Sequence, residues 1–297
     1  MIKRIGLAAT VIAGLVASVV GGSVVNAAPG RALSGTINVA GSTALLPLVN
    51  QAAQDFMAKN SGVTVQVAGG GSGTGLAQAQ SGTIDIGDSD IYADPAKQPD
   101  LVDHQVAVVA FVLTLNKSVN LTNLTQKQLQ NIYSASYTSK DRVENWKQIG
   151  GPDLKVVTIV RPLSSGTRKT FDKIVLKGGN EKGTTVLQKD STNLVLTTVA
   201  QYKGAVGYAA LGSAQSAQYK GKLSIVSYNG VAPTKANIVT GKYEIVAYEH
   251  MYTKGKPNTL AQAFIDYVSS PDVQKNVAEA KLGFIPLNEM KVTIPKR

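Results

Sequence analysis

The chain has 297 residues, with 30 Lys and Arg against 19 Asp and Glu, a net charge of +11, two His and no Cys. Without cysteine there is no disulfide, no thiolate nucleophile, no thiolate-held metal and no lipid-modified cysteine. The basic residues are scattered, without runs or interleaved aromatics. The charge therefore does not describe a nucleic-acid-binding surface, and reads as a solubilising coat or one that adheres to anionic wall polymers.

Residues 1–28 read as a secretion signal. Lys3 and Arg4 precede a largely apolar run over 5–20, and Val25-Asn26-Ala27-Ala28 offers a small-residue cleavage site. Gly21, Gly22, Ser23 and Asn26 end the apolar run early, which argues against an uncleaved anchor. Removing Lys3 and Arg4 leaves +9, and ~270 remaining residues suffice for one large domain or two medium ones.

A first strand is predicted over 36–40, followed by a helix over 43–59. Leu45, Val49, Ala52, Ala53 and Phe56 share one face of that helix, and Pro47 sits in its first turn. A strand over 63–67, a short helix over 75–80 and a strand over 84–87 follow, ending at Asp88-Ser89-Asp90. Residues 106–115 are almost all apolar, as in a strand covered on both faces.

The middle of the chain looks like a separate α/β unit. Helices are expected over 125–132, capped by Thr125, over 168–177 and over 193–201. Strands are expected over 156–160, 206–208 and 223–228. Residues 244–253 look extended, and helices over 260–269 and 271–279 close the sequence. Alternating strands and helices predict an α/β fold with mainly parallel sheets, whose ligands sit beyond the carboxyl ends of the strands.

Three apolar stretches run into elbows rich in Gly, Ser and Thr, each opening a helix: Gly41-Ser42-Thr43, residues 69–75, and Ser164-Ser165-Gly166-Thr167. Helix starts carry unpaired N–H groups and a partial positive charge, and small residues let an anion approach them. Ser42, Thr43, Ser72, Thr74, Ser165 and Thr167 add neutral donors. Arg161 adds a planar fork suited to a tetrahedral oxyanion.

Asp90 should repel an anion unless the ligand brings a proton for it to accept. Hydrogen phosphate has that proton at neutral pH and sulfate does not; the competing reading of Asp90 is a turn acid. Catalytic readings fare worse. His104 and His250 form no metal motif and read as packed or surface side chains, and no Gly-x-Ser-x-Gly elbow occurs. The glycine run lacks the lysine of a phosphate loop. Residues 178–184 have that glycine spacing with Thr184 in place of the lysine, and read as a loop.

The motifs together resemble the phosphate-binding component of bacterial ABC phosphate importers. They are Gly41-Ser42-Thr43, Gly71-Ser72-Gly73-Thr74-Gly75, residues 85–90, Leu124-Thr125-Gln126-Lys127-Gln128-Leu129 with Ile132-Tyr133, Asn145-Trp146-Lys147, Arg161 to Arg168, residues 263–268 and 283–287. The Arg-x-x-x-Ser-Gly-Thr spacing is the most specific of them. The resemblance implies a two-lobed type II periplasmic-binding-protein fold with its ligand cleft between lobes, near 33–112 plus 246–297 and 113–245. It implies phosphate contacts from Thr43, Ser72, Asp90, Arg161, Ser165, Gly166 and Thr167, with Ser42 a weaker addition.

Two departures stand out. No acidic residue follows Arg161 within Pro162-Leu163-Ser164, and no lipid-anchoring cysteine is present. The expectation is a secreted or cell-surface monomer without cofactor or metal that captures inorganic phosphate for the membrane permease subunits of an importer. The alternatives are a surface protein that keeps the fold and adheres to anionic cell-wall polymers, and a phosphate-releasing enzyme.

Overall fold

The computed structural model describes residues 32–134, 139–182 and 186–296; the signal-like segment over 1–28 and the end of the 178–184 loop lie outside them. In chain order the first strands and helices are β1 (Ser34–Gly41), α1 (Leu46–Lys59), β2 (Gly62–Ala68), α2 (Ser72–Ser81), β3 (Ile86–Ser89) and β4 (Leu101–Asn116). Then come β5 (Asn123–Leu124), α3 (Gln126–Tyr133), β6 (Val157–Val160), α4 (Gly166–Ile174), β7 (Val186–Gln188), α5 (Thr192–Gln201), β8 (Ala205–Ala210), α6 (Leu211–Gln215) and β9 (Leu223–Tyr228). The last are α7 (Lys235–Val239), β10 (Val246–Lys254), α8 (Thr259–Val268), α9 (Pro271–Val273) and α10 (Ala280–Leu282).

The strands run in the order β2-β1-β3-β10-β4-β8-β6-β7, with β9 on β4 and β5 on β9. The β2-β1-β3 and β8-β6-β7 groups are parallel. The expectation of mainly parallel sheets fails at the centre, because β10 is antiparallel to both β3 and β4, and β4 is antiparallel to β8 and β9. The cause is β10, which returns from late in the chain and inserts between β3 and β4, two strands that run the same way, so that it is antiparallel to both.

β4 is buried without a break from Val106 to Asn116, as its apolar run requires. Residues 101–110 pair with β10, whereas residues 111–116 pair with β8 and β9. One strand thus serves two groups of ladders. At the changeover the Phe111 N–H donates to the Ile245 carbonyl at 2.8 Å, and the Tyr243 hydroxyl donates to the Phe111 carbonyl at 2.8 Å.

Helical faces follow the expected spacing. Leu48, Val49, Ala52, Ala53 and Phe56 of α1 are buried, and Phe56 meets Phe264 of α8 edge-on at 5.4 Å between ring centres. Under α4, Phe171 stacks on Tyr208 at 4.3 Å and Tyr133 meets it edge-on at 5.0 Å. The segment expected as one helix over 271–279 instead passes from α9 through a π-helical stretch over Gln274–Glu279 into α10. There the Gln274 amide donates to the Val268 carbonyl at 2.8 Å.

Candidate functional site

Five strands of the two parallel groups end on one cluster of side chains. β1 delivers Ser42 and Thr43, β2 the glycine elbow and Ser72, and β3 Asp90. β6 delivers Arg161 and the start of α4, and β7 leads to the start of α5. This is where an open α/β sheet exposes helix N-termini to a ligand.

Arg161 is the centre of charge. It is 1% exposed, and its Nη2 donates to the Thr43 hydroxyl at 3.2 Å and to the Asp190 carbonyl at 3.0 Å. Its Nε and Nη1 have no hydrogen-bond partner, and no described carboxylate lies within ion-pair distance. Burial pulls the guanidinium pKa down, opposed by Tyr208, Asp90, Asp190 and Glu181. A buried cation left with open donors is the arrangement expected where an anion is to be bound.

The residues behind Arg161 answer for the missing neighbouring acid. Arg168 Nη1 donates to the Arg161 carbonyl at 2.7 Å, and its Nε contacts Asp172 at 3.3 Å and Glu181 at 3.4 Å. Glu181 in turn accepts from the Tyr208 hydroxyl. The acids hold a second arginine, which holds the Arg161 backbone, so they do not occupy the Arg161 fork.

Asp90 faces this cation from β3. Ser72 Oγ donates to one of its oxygens at 3.2 Å and accepts its N–H at 3.0 Å. Thr167 Oγ1 donates to the other oxygen at 2.9 Å. Thr43 Oγ1, besides accepting from Arg161, accepts the Thr192 N–H at 3.2 Å and shares a hydrogen bond with the Thr192 hydroxyl at 3.3 Å. Gly166 sits where a Cβ would overlap Ser72 Oγ and press on Asp90, so no larger residue fits without movement. Its N–H and that of Thr167 open α4 with no carbonyl a turn back to receive them.

The structure thus brings together Thr43, Ser72, Asp90, Arg161, Gly166 and Thr167. Ser165 and Ser42 shape the helix starts. Ser165 accepts the Arg168 N–H at 3.2 Å, and Ser42 accepts those of Ala44 and Leu45 at 3.1 Å each. Thr74 turns away, its hydroxyl donating to the Gly70 carbonyl at 2.8 Å on the exposed side of α2.

Three residues in or beside the cluster were not expected from sequence. Thr192 lies in Asp190-Ser191-Thr192, a fourth hydroxyl elbow, which lacks the glycine that marks the others. Asp88 and Glu249 are buried carboxyls, 1% and 0% exposed, to which no described N–H or hydroxyl donates, and the Glu249 carboxyl meets that of Asp90. Desolvation, reinforced by Asp90, pushes both well above the usual carboxylate range. The histidines are structural: His250 is buried against Asp103 at 2.7 Å, and His104 reaches Thr253 at 3.1 Å.

Comparison with known proteins identifies the family. A model of the PBP superfamily domain matches residues 26–272. The phosphate-binding protein PstS of Bacillus subtilis is 40% identical over 264 residues, covering 88% of this chain and 83% of that protein. PstS of Pseudomonas aeruginosa is 27% identical, covering 86% of this chain and 84% of its own.

Among solved structures, a protein of Clostridium perfringens assigned as a phosphate ABC transporter substrate-binding protein, with phosphate bound, superposes with a TM-score of 0.75. It is 24% identical, over 85% of this chain and 100% of its own. An ABC-type phosphate transport receptor of Vibrio cholerae superposes with a TM-score of 0.66 at 24% identity, over 85% and 100%. The fold is that of the type II periplasmic binding proteins, and the chain belongs to the PBP superfamily and, within it, to the PstS family.

Proposed function

We propose that this chain is the extracytoplasmic solute-binding component of an ABC phosphate importer, a monomer that captures inorganic phosphate and passes it to the permease subunits. The observation that carries this reading is the buried Arg161, whose Nε and Nη1 lack partners inside a ring of hydroxyls and helix starts. Family membership supports it, since the relatives are named for binding phosphate. The work is capture and release, so the site needs no nucleophile.

In this reading the Arg161 fork and the first N–H groups of α4 receive the charged oxygens of hydrogen phosphate. Asp90 accepts the proton that the ligand carries. The lobes lie near 33–112 plus 246–297 and near 113–245, joined where β4 changes partners and where Ile245 leads into β10. Contacts between them support a site that closes: the Gly73 N–H donates to the Ser164 carbonyl at 2.8 Å, and Arg161 donates to Thr43 at 3.2 Å.

Calorimetry of the purified protein against phosphate, sulfate and molybdate tests the reading. Phosphate should bind one to one, with sulfate weaker by about a hundredfold or more, because a buried acceptor facing an acceptor is strongly rejected. In Arg161→Ala, phosphate should bind at least about tenfold more weakly while circular dichroism shows an intact fold. Equal binding of phosphate and sulfate by the wild type, or unchanged affinity in the folded variant, would overturn it.

A further inference from the structure

Glu249 is the least expected residue of the site. In the antiparallel pairing of β10 with β3, His250 faces Ser89 and Met251 faces Asp88. Carried one residue further, that register sets Glu249 directly opposite Asp90. Such cross-strand neighbours have Cβ atoms about 4.5–5.5 Å apart, and like charges at that spacing oppose one another. The β10–β4 register shifts between Glu249 and His250, with Glu249 facing Ala107 and His250 facing Gln105. A bulge of this kind changes where a side chain is aimed.

The surroundings of Glu249 offer no counter-charge. From β3 it faces Asp90 and Asp88, both acids. From β4 it faces Ala107, and α2, which packs on β10, has no charged residue. Its neighbours Tyr248 and His250 lie on the other face of the strand, where the His250 ring meets those of Tyr92 and Tyr248. Arg161 acts on Asp90 from the far side of the site. Asp90 has two hydroxyl donors, whereas Glu249 has none in hydrogen-bond geometry. Of the two carboxyls, Asp90 is the one equipped to be ionised.

We propose that Glu249 is a specificity-determining partner of Asp90: it carries the proton of the pair, leaving the single negative charge on Asp90 and keeping that residue an acceptor for an oxyanion that brings its own proton. The proposal rests on the phosphate reading and adds a residue to it. Were Glu249 to ionise, two adjacent carboxylates would face the dianion, and binding would weaken although no contact to the ligand had changed. Burial, with Asp90 and Asp88 beside it, holds the Glu249 pKa well above the usual carboxylate range.

The test measures phosphate affinity by calorimetry from neutral to alkaline pH, where the ligand is the monohydrogen dianion, in wild type and in Glu249→Gln. Wild-type affinity should fall roughly tenfold or more as Glu249 ionises, given the Coulomb energy of one added charge in a partly buried site. In E249Q the ratio of alkaline to neutral affinity should stay near one, whatever the absolute affinity. Infrared spectroscopy with isotope-labelled glutamate supplies a second reading: Glu181, raised to about 8, gives a protonated-carboxyl band of its own, so the band of Glu249 is the one that wild type shows at neutral pH and Glu249→Gln lacks. The same alkaline fall in E249Q, or no such band in wild type, overturns this inference alone. A wild type that binds no phosphate overturns it together with the phosphate reading.

Discussion

Arg161 and Asp90 lie on opposite sides of the cluster and bear opposite charges, so they fail differently when altered. In the proposed reading Arg161 attracts any compact anion, whereas Asp90 sorts anions by rewarding a ligand proton and repelling its absence. In Asp90→Asn the charge repulsion is gone, and the amide can offer either its oxygen or its NH2 to the ligand. Sulfate should therefore gain on phosphate by about tenfold or more in competition binding, the range expected when a buried acceptor no longer faces an acceptor. A general loosening of the site would weaken both anions alike. An unchanged phosphate-to-sulfate ratio would show that Asp90 acts only through its bonds to Ser72 and Thr167.

The elements around α4 carry a different dependence, on pH. Burial pushes Glu181 from its ordinary 4.5 to about 8 and Asp172 from 3.8 to about 6, against the opposing pull of Arg168. Both native-state values lie above those of the unfolded chain, so the folded protein binds more protons between the two. The stability these acids contribute is complete below about pH 4 and is lost as pH rises towards about 8. Asp88 and Glu249 act in the same direction. Glu279, lowered to about 2 by Lys235 and Lys275, is lost only in stronger acid. Thermal melts should thus show a midpoint several degrees lower near pH 8 than near pH 5, and Glu181→Gln should remove part of that difference. An identical slope in the variant would assign the dependence elsewhere. How legible these elements were depends on how local their cause is. The elbows show in sequence because close approach to other groups demands glycine at Gly41, Gly71 and Gly166. Thr192 has no glycine to mark it, and the strand before it is only three residues long. Thr74 belongs to the right elbow, yet its rotamer sends the hydroxyl back to Gly70, which spacing cannot reveal. Glu249 reads as one polar residue in an extended run; its burial follows from β10 inserting antiparallel between β3 and β4, a pairing set by tertiary contacts.

At the scale of the whole molecule, the site is assembled from both sides of the β4 changeover. Arg161 with Thr43, Thr167 with Asp90, Thr192 with Thr43, and Ser164 with Gly73 each join a residue before the changeover to one after it. None of these contacts is large. Together they bring a buried cation and a buried carboxylate into one small volume, an arrangement costly without an anion to complete it. Phosphate should therefore favour the closed form over an open one in which Arg161 is hydrated, and in the proposed two-lobed reading the chain bends near the bond between Phe111 and Ile245. Two measurements follow from the same linkage. At a phosphate concentration ~100 times the dissociation constant, mass action adds about 2.7 kcal/mol, which for a chain of this size raises the melting midpoint by roughly 5 °C. Small-angle scattering should show a smaller radius of gyration with phosphate than without, and sulfate at the same concentration should produce neither change. A thermal shift without contraction would mean that the cluster is already closed before the ligand arrives. Asp90 and Arg161 would then form a rigid socket, and release to a permease would need the partner to force the lobes apart.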